Sequence, residues 1–141
     1  MRCLRLRILG YAICLLLLID GCAATNQFVP RPRNDLPPPG KAIIRVQRPS
    51  GGLGSGRSVT VRDDGTPIGD LGPGGELAWE RPGGSATLSL APSWMSVRED
   101  NPPLTVTVEA GKTYTYFVVT SREHYFVLTD ELWPGERLHR Q

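Results

Sequence analysis

The chain has 141 residues, of which 40% are hydrophobic and 21% charged, enough for one domain once a targeting segment is set aside. Its 16 basic and 14 acidic side chains include three arginines and one aspartate within residues 1–21, which leaves 13 of each sign in the remainder. Because this remainder is neutral by side-chain count, it offers no electrostatic surface for nucleic acid or anionic lipid headgroups, and we expect neither as a partner.

The first 21 residues are typical of a secretory signal. Arg2, Arg5 and Arg7 precede Ile8–Ile19, an apolar run without a charge. Twelve residues are too few for a helix that crosses a hydrocarbon core about 30 Å thick, which takes about 20 residues. The sequence therefore predicts a cleaved signal peptide over residues 1–21 and no permanent membrane helix.

A cysteine directly follows this segment. The run Leu18-Ile19-Asp20-Gly21-Cys22 resembles the bacterial lipobox, although Asp20 stands where that motif usually has a small or uncharged residue. The resemblance implies fatty acylation of Cys22, with palmitate-type chains whose membrane affinity is about 0.8 kcal/mol per CH₂. Ala23, in place of an aspartate after the cysteine, implies an outer-membrane lipoprotein that faces the periplasm. The alternative is an ordinary secretory signal with a chance cysteine at its end.

Cysteine usage also limits the chemistry of the mature chain. Cys3 and Cys14 lie within the predicted signal, so Cys22 would be the single remaining cysteine. We therefore expect no internal disulfide and no cysteine-based zinc site. Because no motif for another metal or a nucleotide is recognisable, we also expect no other metal site and no cofactor. A domain of about 100 residues without such links must be held by apolar burial and strand pairing.

Prolines mark the segment after the cysteine. Residues 23–40 contain five prolines and little apolar periodicity. Proline-rich chain favours extended polyproline II at about 3.1 Å per residue, so a segment of this length reaches roughly 55 Å. The sequence predicts that residues 22–40 are a lipidated cysteine followed by a solvated tether, and that residues 41–141 form a single domain.

From Lys41 onward, apolar and polar residues alternate with a period of two in short segments bounded by Gly, Pro, Asn or Asp. The segment Tyr114–Thr120 is apolar on both faces, which predicts a central strand, and Tyr125–Thr129 is its predicted partner. The other predicted inward-facing sets are Ala42, Ile44 and Val46; Val59 and Val61; Leu77 and Trp79; Ala86, Leu88 and Leu90; and Leu104, Val106 and Val108.

Two turns separate some of these strands. Asp63-Asp64-Gly65 predicts a tight hairpin, because an Asp-Gly pair tolerates positive φ. Gly111-Lys112-Thr113 is similar to the end of a phosphate-binding loop, but Val106 stands where that loop needs a glycine, and a strand pattern follows where it needs a helix. We therefore interpret it as a plain hairpin turn. About seven or eight strands of this kind predict an all-β fold, an antiparallel β-sandwich with an immunoglobulin- or transthyretin-like outline.

A broader resemblance covers roughly residues 37–130. A family of bacterial lipoproteins, known only as a domain of unknown function, is similar to this chain in the runs PPPGKAIIRVQRPS, VTVRDDGTPIGDL, ATLSL and LTVTVEAGKTYTYFV. Its most recognisable element matches Ala110–Tyr114, although Thr115 here separates two tyrosines that are usually adjacent. The strand and turn pattern is more weakly similar to PEGA-type surface domains. The resemblance implies a lipoprotein signal ahead of one small β domain, and it supplies no catalytic residue.

The sequence contains no recognisable catalytic or metal-binding motif, and the candidate contacts with a partner or ligand lie in predicted loops. Trp94 and Met95 belong to one long connection, and Gly54 and Ser55 belong to a glycine-rich loop. The other interpretation is that Trp94 folds back over the open end of the sandwich and that the glycines only form a mobile loop.

These observations together predict a non-catalytic, membrane-tethered β domain that binds an envelope protein or a cell-wall component. The alternative is an enzyme or small-ligand binder with a site near His124 and the Gly51–Gly56 loop. His124 lies between Glu123 and Tyr125, and an exposed histidine at a strand edge is the simpler interpretation.

Overall fold

The computed structural model describes residues 24–50, 57–92, 102–119 and 126–130. Within these ranges the chain forms nine strands and no helix, and hence no helix that is long and apolar enough to cross a membrane. The strands are β1 (Asn26–Gln27), β2 (Lys41–Gln47), β3 (Val59–Asp63), β4 (Thr66–Leu71), β5 (Glu76–Pro82), β6 (Gly84–Pro92), β7 (Leu104–Val108), β8 (Thr113–Val119) and β9 (Val127–Thr129).

The strands form two sheets that enclose a common core, which confirms the predicted all-β sandwich. One sheet has five strands in the order β1-β4-β3-β6-β7, and the other has four in the order β5-β2-β8-β9. Neighbouring strands are antiparallel except for β2 and β8, which run parallel. A parallel pair needs a crossover connection, and the strands of the other sheet that lie between β2 and β8 in the chain supply it.

The core follows the predicted alternation of apolar and polar residues. β7 shows this most clearly: Val108 is buried, Leu104 and Val106 pack partly buried against the core, and Thr105 and Thr107 are exposed. β8 lies between β2 and β9, which confirms it as a central strand. The other predicted core residues are also buried or packed against the core: Ala42, Ile44, Val46, Val59, Val61, Leu77, Trp79, Ala86, Leu88 and Leu90.

Strand β4 is an element that the alternation does not predict, because Pro67 and Gly69 interrupt its apolar pattern. Gly69 has a packing reason to be glycine. A Cβ atom at this position would lie 2.5 Å from the carbonyl oxygen of Asn26 and 2.8 Å from a methyl carbon of Leu77. Strand β1 and the core therefore approach β4 more closely than any side chain at residue 69 would allow.

The two predicted turns differ in what they connect. Asp64 and Gly65 have φ angles of 47° and 81°, as the predicted tight hairpin between β3 and β4 requires. The hairpin interpretation of the turn at Gly111 is wrong, because this turn carries the chain from β7 in one sheet to β8 in the other. Tyr114 stabilises the crossover, since its hydroxyl oxygen accepts a hydrogen bond of 2.9 Å from the backbone N–H of Glu109.

The solvated tether predicted over residues 22–40 is wrong in its first described part, which pairs with the sandwich. In β1, Asn26 lies opposite Asp70 in an antiparallel pair with β4. The N–H of Phe28 then donates to the carbonyl of Ile68 at 2.8 Å. The prolines that suggested a tether all follow β1 in the chain, and the extended backbone of this segment also suits an edge strand.

Candidate functional site

A groove of about 710 Å³ lies between the β3–β4 hairpin, the end of β5 and the segment that follows β1. We call residues 29–38 the strap, because they form one wall of this groove. The volume falls within the roughly 300–1,000 Å³ that ligand sites occupy. The groove is lined by Val29, Pro30, Arg31, Arg33, Asn34, Leu36 and Pro38 of the strap, and by Lys41, Asp63, Asp64, Thr66, Ile68, Trp79, Glu80, Arg81 and Pro82 of the sandwich.

A buried carboxylate joins the two sheets beside the groove. Asp63, at the end of β3, accepts a hydrogen bond of 2.8 Å on Oδ2 from the indole Nε1–H of Trp79. Its other oxygen, Oδ1, accepts a hydrogen bond from Nη1 of Arg81 in a largely buried ion pair. Trp79 and Arg81 both belong to β5, so one side chain of the five-stranded sheet is held by two of the four-stranded sheet. Both carboxylate oxygens of Asp63 are thereby engaged, as burial of a charge requires.

Arg81 extends this network to the hairpin. Its Nη2 donates to the backbone carbonyl of Ser85 at 2.9 Å and to Oδ2 of Asp64 at 3.3 Å. The other carboxylate oxygen of Asp64 accepts a hydrogen bond of 2.8 Å from the backbone N–H of Thr87 in β6. The tight turn is therefore fixed against both β5 and β6, and this wall of the groove is built from charge-assisted hydrogen bonds.

The strap is held at its start by side chains that cover the edge of β5. The amide of Gln27 donates from Nε2 to the carbonyl of Ala78 at 2.7 Å, and its Oε1 accepts from the N–H of Ala78 at 3.2 Å. Arg31 donates from Nη2 to the carbonyl of Glu76 at 2.6 Å and from Nε to Oε1 of Gln27 at 3.1 Å. The Gln27 amide thus takes the place of a neighbouring strand at Ala78, and Arg31 satisfies the carbonyl of Glu76 at the same edge.

The charges of the lining are unevenly distributed. Each acidic group has a cation beside it: Glu80 pairs with Lys41 at 3.0 Å, and Asp63 and Asp64 pair with Arg81. On the strap, Arg31 donates to neutral oxygens, and no hydrogen bond or ion pair holds Arg33 within the described ranges. The positive charge that is not compensated locally therefore lies on the strap wall.

Most of the charged side chains of the lining already have partners within the protein. The described ranges contain no histidine and no cysteine, and no cluster of three acidic side chains in them is arranged to hold a metal ion. Each oxygen of the Asp63 carboxylate already accepts a hydrogen bond, one from Trp79 and the other from Arg81. The groups that remain for a ligand are the Arg33 guanidinium, the Asn34 amide, the Thr66 hydroxyl and the apolar side chains of the lining.

A second buried charge lies at the opposite end of the sandwich and is structural. The guanidinium of Arg48 is 4.6 Å from the centre of the Phe126 ring, and its Nη1 donates to the carbonyl of Leu71 at 3.2 Å. Burial lowers the pKa of Arg48. At this end, where β2 and β4 finish, the Arg48 contacts link the two sheets.

The candidate residues predicted from the sequence lie outside the described ranges: Cys22, Gly54, Ser55, Trp94, Met95, His124 and the Gly51–Gly56 loop. Of the groove residues, Asp63 and Arg81 could have been found from the strand period. Asp63 continues the inward-facing set of Val59 and Val61, and Arg81 continues that of Leu77 and Trp79. Two opposite charges on core-facing positions of two strands predict a buried ion pair.

In comparisons with known proteins, no family model and no curated protein matches the chain.

Proposed function

We propose that this chain is a non-catalytic lipoprotein of the bacterial cell envelope, attached to the outer membrane through acylated Cys22. Its β domain binds a protein or a cell-wall component in the groove beside the strap. The groove is the observation that carries the binding role. Its acidic groups are committed to structural ion pairs, while its strap wall offers Arg33, Asn34 and Leu36 to a ligand. The resemblance of residues 37–130 to bacterial lipoproteins supports the same class of protein.

The position of β1 relates the anchor to the groove. Asn26 lies four residues after Cys22, and four fully extended residues span at most about 14 Å. Asn26 pairs with Asp70 near the end of β4, whereas Thr66 at the start of β4 lines the groove. A domain anchored at Cys22 would therefore lie close to the membrane, with its groove at the far end, where it faces the periplasm.

Replacement of Cys22 tests the anchor. In Cys22→Ser, we expect no incorporation of a fatty-acid analogue and release of the protein from the membrane fraction, because the serine hydroxyl cannot form the thioether. Cys14→Ser is the control, since this cysteine belongs to the predicted signal, and it should be labelled normally. Normal labelling of Cys22→Ser would contradict the proposed attachment.

Site-specific photo-crosslinking in the anchored protein tests the binding role. A photoreactive side chain at Asn34 in the groove should give adducts with an envelope protein or, sensitive to muramidase, with the cell wall. The same side chain at Thr107, which is exposed on β7 away from the groove, is the control and should give none. Equal adducts from both positions, or none from Asn34, would contradict binding in the groove.

A further inference from the structure

We propose that the ligand of this groove is an extended peptide segment that carries a carboxylate, with Arg33 as the group that pairs with it. The inference rests on the proposed function and names the chemical class of the partner. It follows from three properties of the groove: the uncompensated positive charge of Arg33, the excess negative charge of the opposite wall, and the apolar side chains of the lining.

Arg33 is the cation of the lining that is open to an incoming anion. Lys41 and Arg81 are neutralised by acidic neighbours, and Arg31 is held by a backbone carbonyl and a side-chain amide oxygen. Arg33 is exposed, and no hydrogen bond or ion pair to it is present within the described ranges. A guanidinium with free N–H groups binds a carboxylate through two parallel hydrogen bonds, and the adjacent Asn34 amide can add a third.

The opposite wall limits how much negative charge the ligand can carry. Asp63, Asp64 and Glu80 line the groove with only two cations, Arg81 and Lys41, so this wall keeps one excess negative charge, and the side chain of Asp64 remains 56% exposed. A polyanion such as nucleic acid or a phosphate-rich surface would meet this acidic wall and be repelled. A ligand with one localised carboxylate at the strap wall and neutral groups elsewhere has the complementary charge distribution.

The apolar lining favours an extended chain over a small ion. Leu36 is 80% exposed at the rim, although it is a large aliphatic side chain, and Val29, Pro30 and Ile68 also line the groove. Successive side chains of an extended peptide point to opposite sides, so residues two positions apart face the same wall. When one of them is acidic and reaches Arg33, the next one on that side can cover Leu36. The area around Leu36 would then be removed from water on binding, which a free inorganic anion could not achieve.

Selection from an unbiased peptide library tests this assignment. The full chain, kept soluble by Cys22→Ser, is screened against random linear decapeptides with amidated C-termini, so that the only carboxylates are those of Asp and Glu side chains. We expect the selected peptides to be enriched in Asp or Glu. In Arg33→Gln, we expect the enrichment to disappear and the affinity for selected peptides to fall about tenfold or more, as loss of a hydrogen bond to a charged group predicts.

Arg62→Gln is the matched control, because Arg62 is an exposed arginine on the outer side of β3 and does not line the groove. This variant should keep both the enrichment and the affinity. Leu36→Ser should weaken binding without changing the preference for an acidic residue. Selection without acidic enrichment, no selected peptides at all, or an enrichment that survives in Arg33→Gln would overturn the assignment.

Soluble peptidoglycan fragments distinguish the two sources of such a peptide. Fragments with free stem-peptide carboxylates that bind, and that lose binding when the carboxylates are amidated or Arg33 is replaced, would assign the ligand to the cell wall. Binding of the library peptides alone would assign it to a protein. If crosslinks from Asn34 form in the envelope while neither probe depends on Arg33, the peptide assignment fails and the proposed binding role stands.

Discussion

Removal of the Asp63 carboxylate should destabilise the domain strongly, because this group joins the two sheets. The carboxylate accepts the indole N–H of Trp79 at 2.8 Å and pairs with Arg81. Its side chain is 10% exposed and that of Arg81 is 12% exposed. Breaking a buried pair by deleting one partner costs about 3–5 kcal/mol, because the remaining charge and donor lose their compensation.

We expect Asp63→Ala to fall at the lower end of that range, at about 3 kcal/mol. Arg81 retains the carbonyl of Ser85 at 2.9 Å and the more exposed Asp64 at 3.3 Å, so its charge is only partly stranded. For a domain of about 100 residues, each kcal/mol lowers Tm by about 4–8 °C, so thermal unfolding followed by circular dichroism should shift by more than about 12 °C. Asp63→Asn keeps the volume but turns an amide N–H toward one of the two donors, and should also be destabilised.

The control for this prediction is Asp35→Ala. Asp35 also accepts a hydrogen bond from an arginine, Arg45, at 2.5 Å, but its side chain is 94% exposed. Exposed ion pairs contribute about 0–1 kcal/mol, so the loss of this pair should move Tm by only a few degrees. Equal shifts for Asp63→Ala and Asp35→Ala would refute the conclusion that Asp63 acts as a buried link between the sheets.

Three further substitutions test the register, a titration and the covered edge. Val108→Asp should unfold the domain by burying an unpaired charge, whereas Thr107→Asp should cost little, and equal melting temperatures would contradict the inward register of β7. Burial, chiefly, raises the pKa of Tyr116 above its usual 10.0. The stability that the neutral phenol contributes is therefore complete below pH 10.0 and is lost as the pH rises through the pKa of the folded state. In Tyr116→Phe, urea titrations should show a smaller loss of stability at alkaline pH. Gln27→Glu should cost about 1–3 kcal/mol, because it places a carboxylate oxygen against the Ala78 carbonyl, and chemical denaturation unchanged from the parent would contradict that contact.

The parts of the fold that follow a short-range period can be predicted from the sequence. The alternation Leu104-Val106-Val108 against Thr105 and Thr107 gives the correct inner and outer faces of β7, because the pleat imposes a period of two. The segment Tyr114–Thr120, which is apolar on both faces, likewise predicts that β8 is a central strand. The choice of neighbouring strands follows no such period. The residues alone therefore do not show that β2 and β8 are parallel neighbours, or that the chain passes from one sheet to the other at the Gly111 turn.

The groove could not be predicted because it combines residues that are distant in the chain. Arg33 and Asp64 line the same space although 31 positions separate them in the sequence. The role of Gln27 is equally hidden, since a side-chain amide that substitutes for a strand has no sequence pattern. Only the inward register of Asp63 and Arg81 carried a usable signal, because charges on a core-facing period require partners.

The packed segment before Lys41 changes what is expected of a truncated domain. The chain from residue 24 carries β1, Gln27 and Arg31, and these satisfy the N–H and carbonyl of Ala78 and the carbonyl of Glu76 at the edge of β5. A chain that begins at Lys41 loses all of these contacts and exposes a strand edge, which is a template for association with another molecule. The net loss of stability is smaller than the sum of the hydrogen bonds, because the entropy of ordering the removed segment is recovered.

Hydrogen exchange at a single backbone N–H therefore tests these contacts more sharply than the stability of the whole domain does. Hydrogen exchange at the Ala78 N–H should be slow in the chain from residue 24, faster in its Gln27→Ala variant and fastest in the chain from Lys41, which should also aggregate at lower concentration. If Ala78 is equally protected in all three and the two lengths of chain melt at the same temperature, then the segment before Lys41 contributes nothing to the sandwich, and the domain begins at Lys41, as the sequence alone suggests.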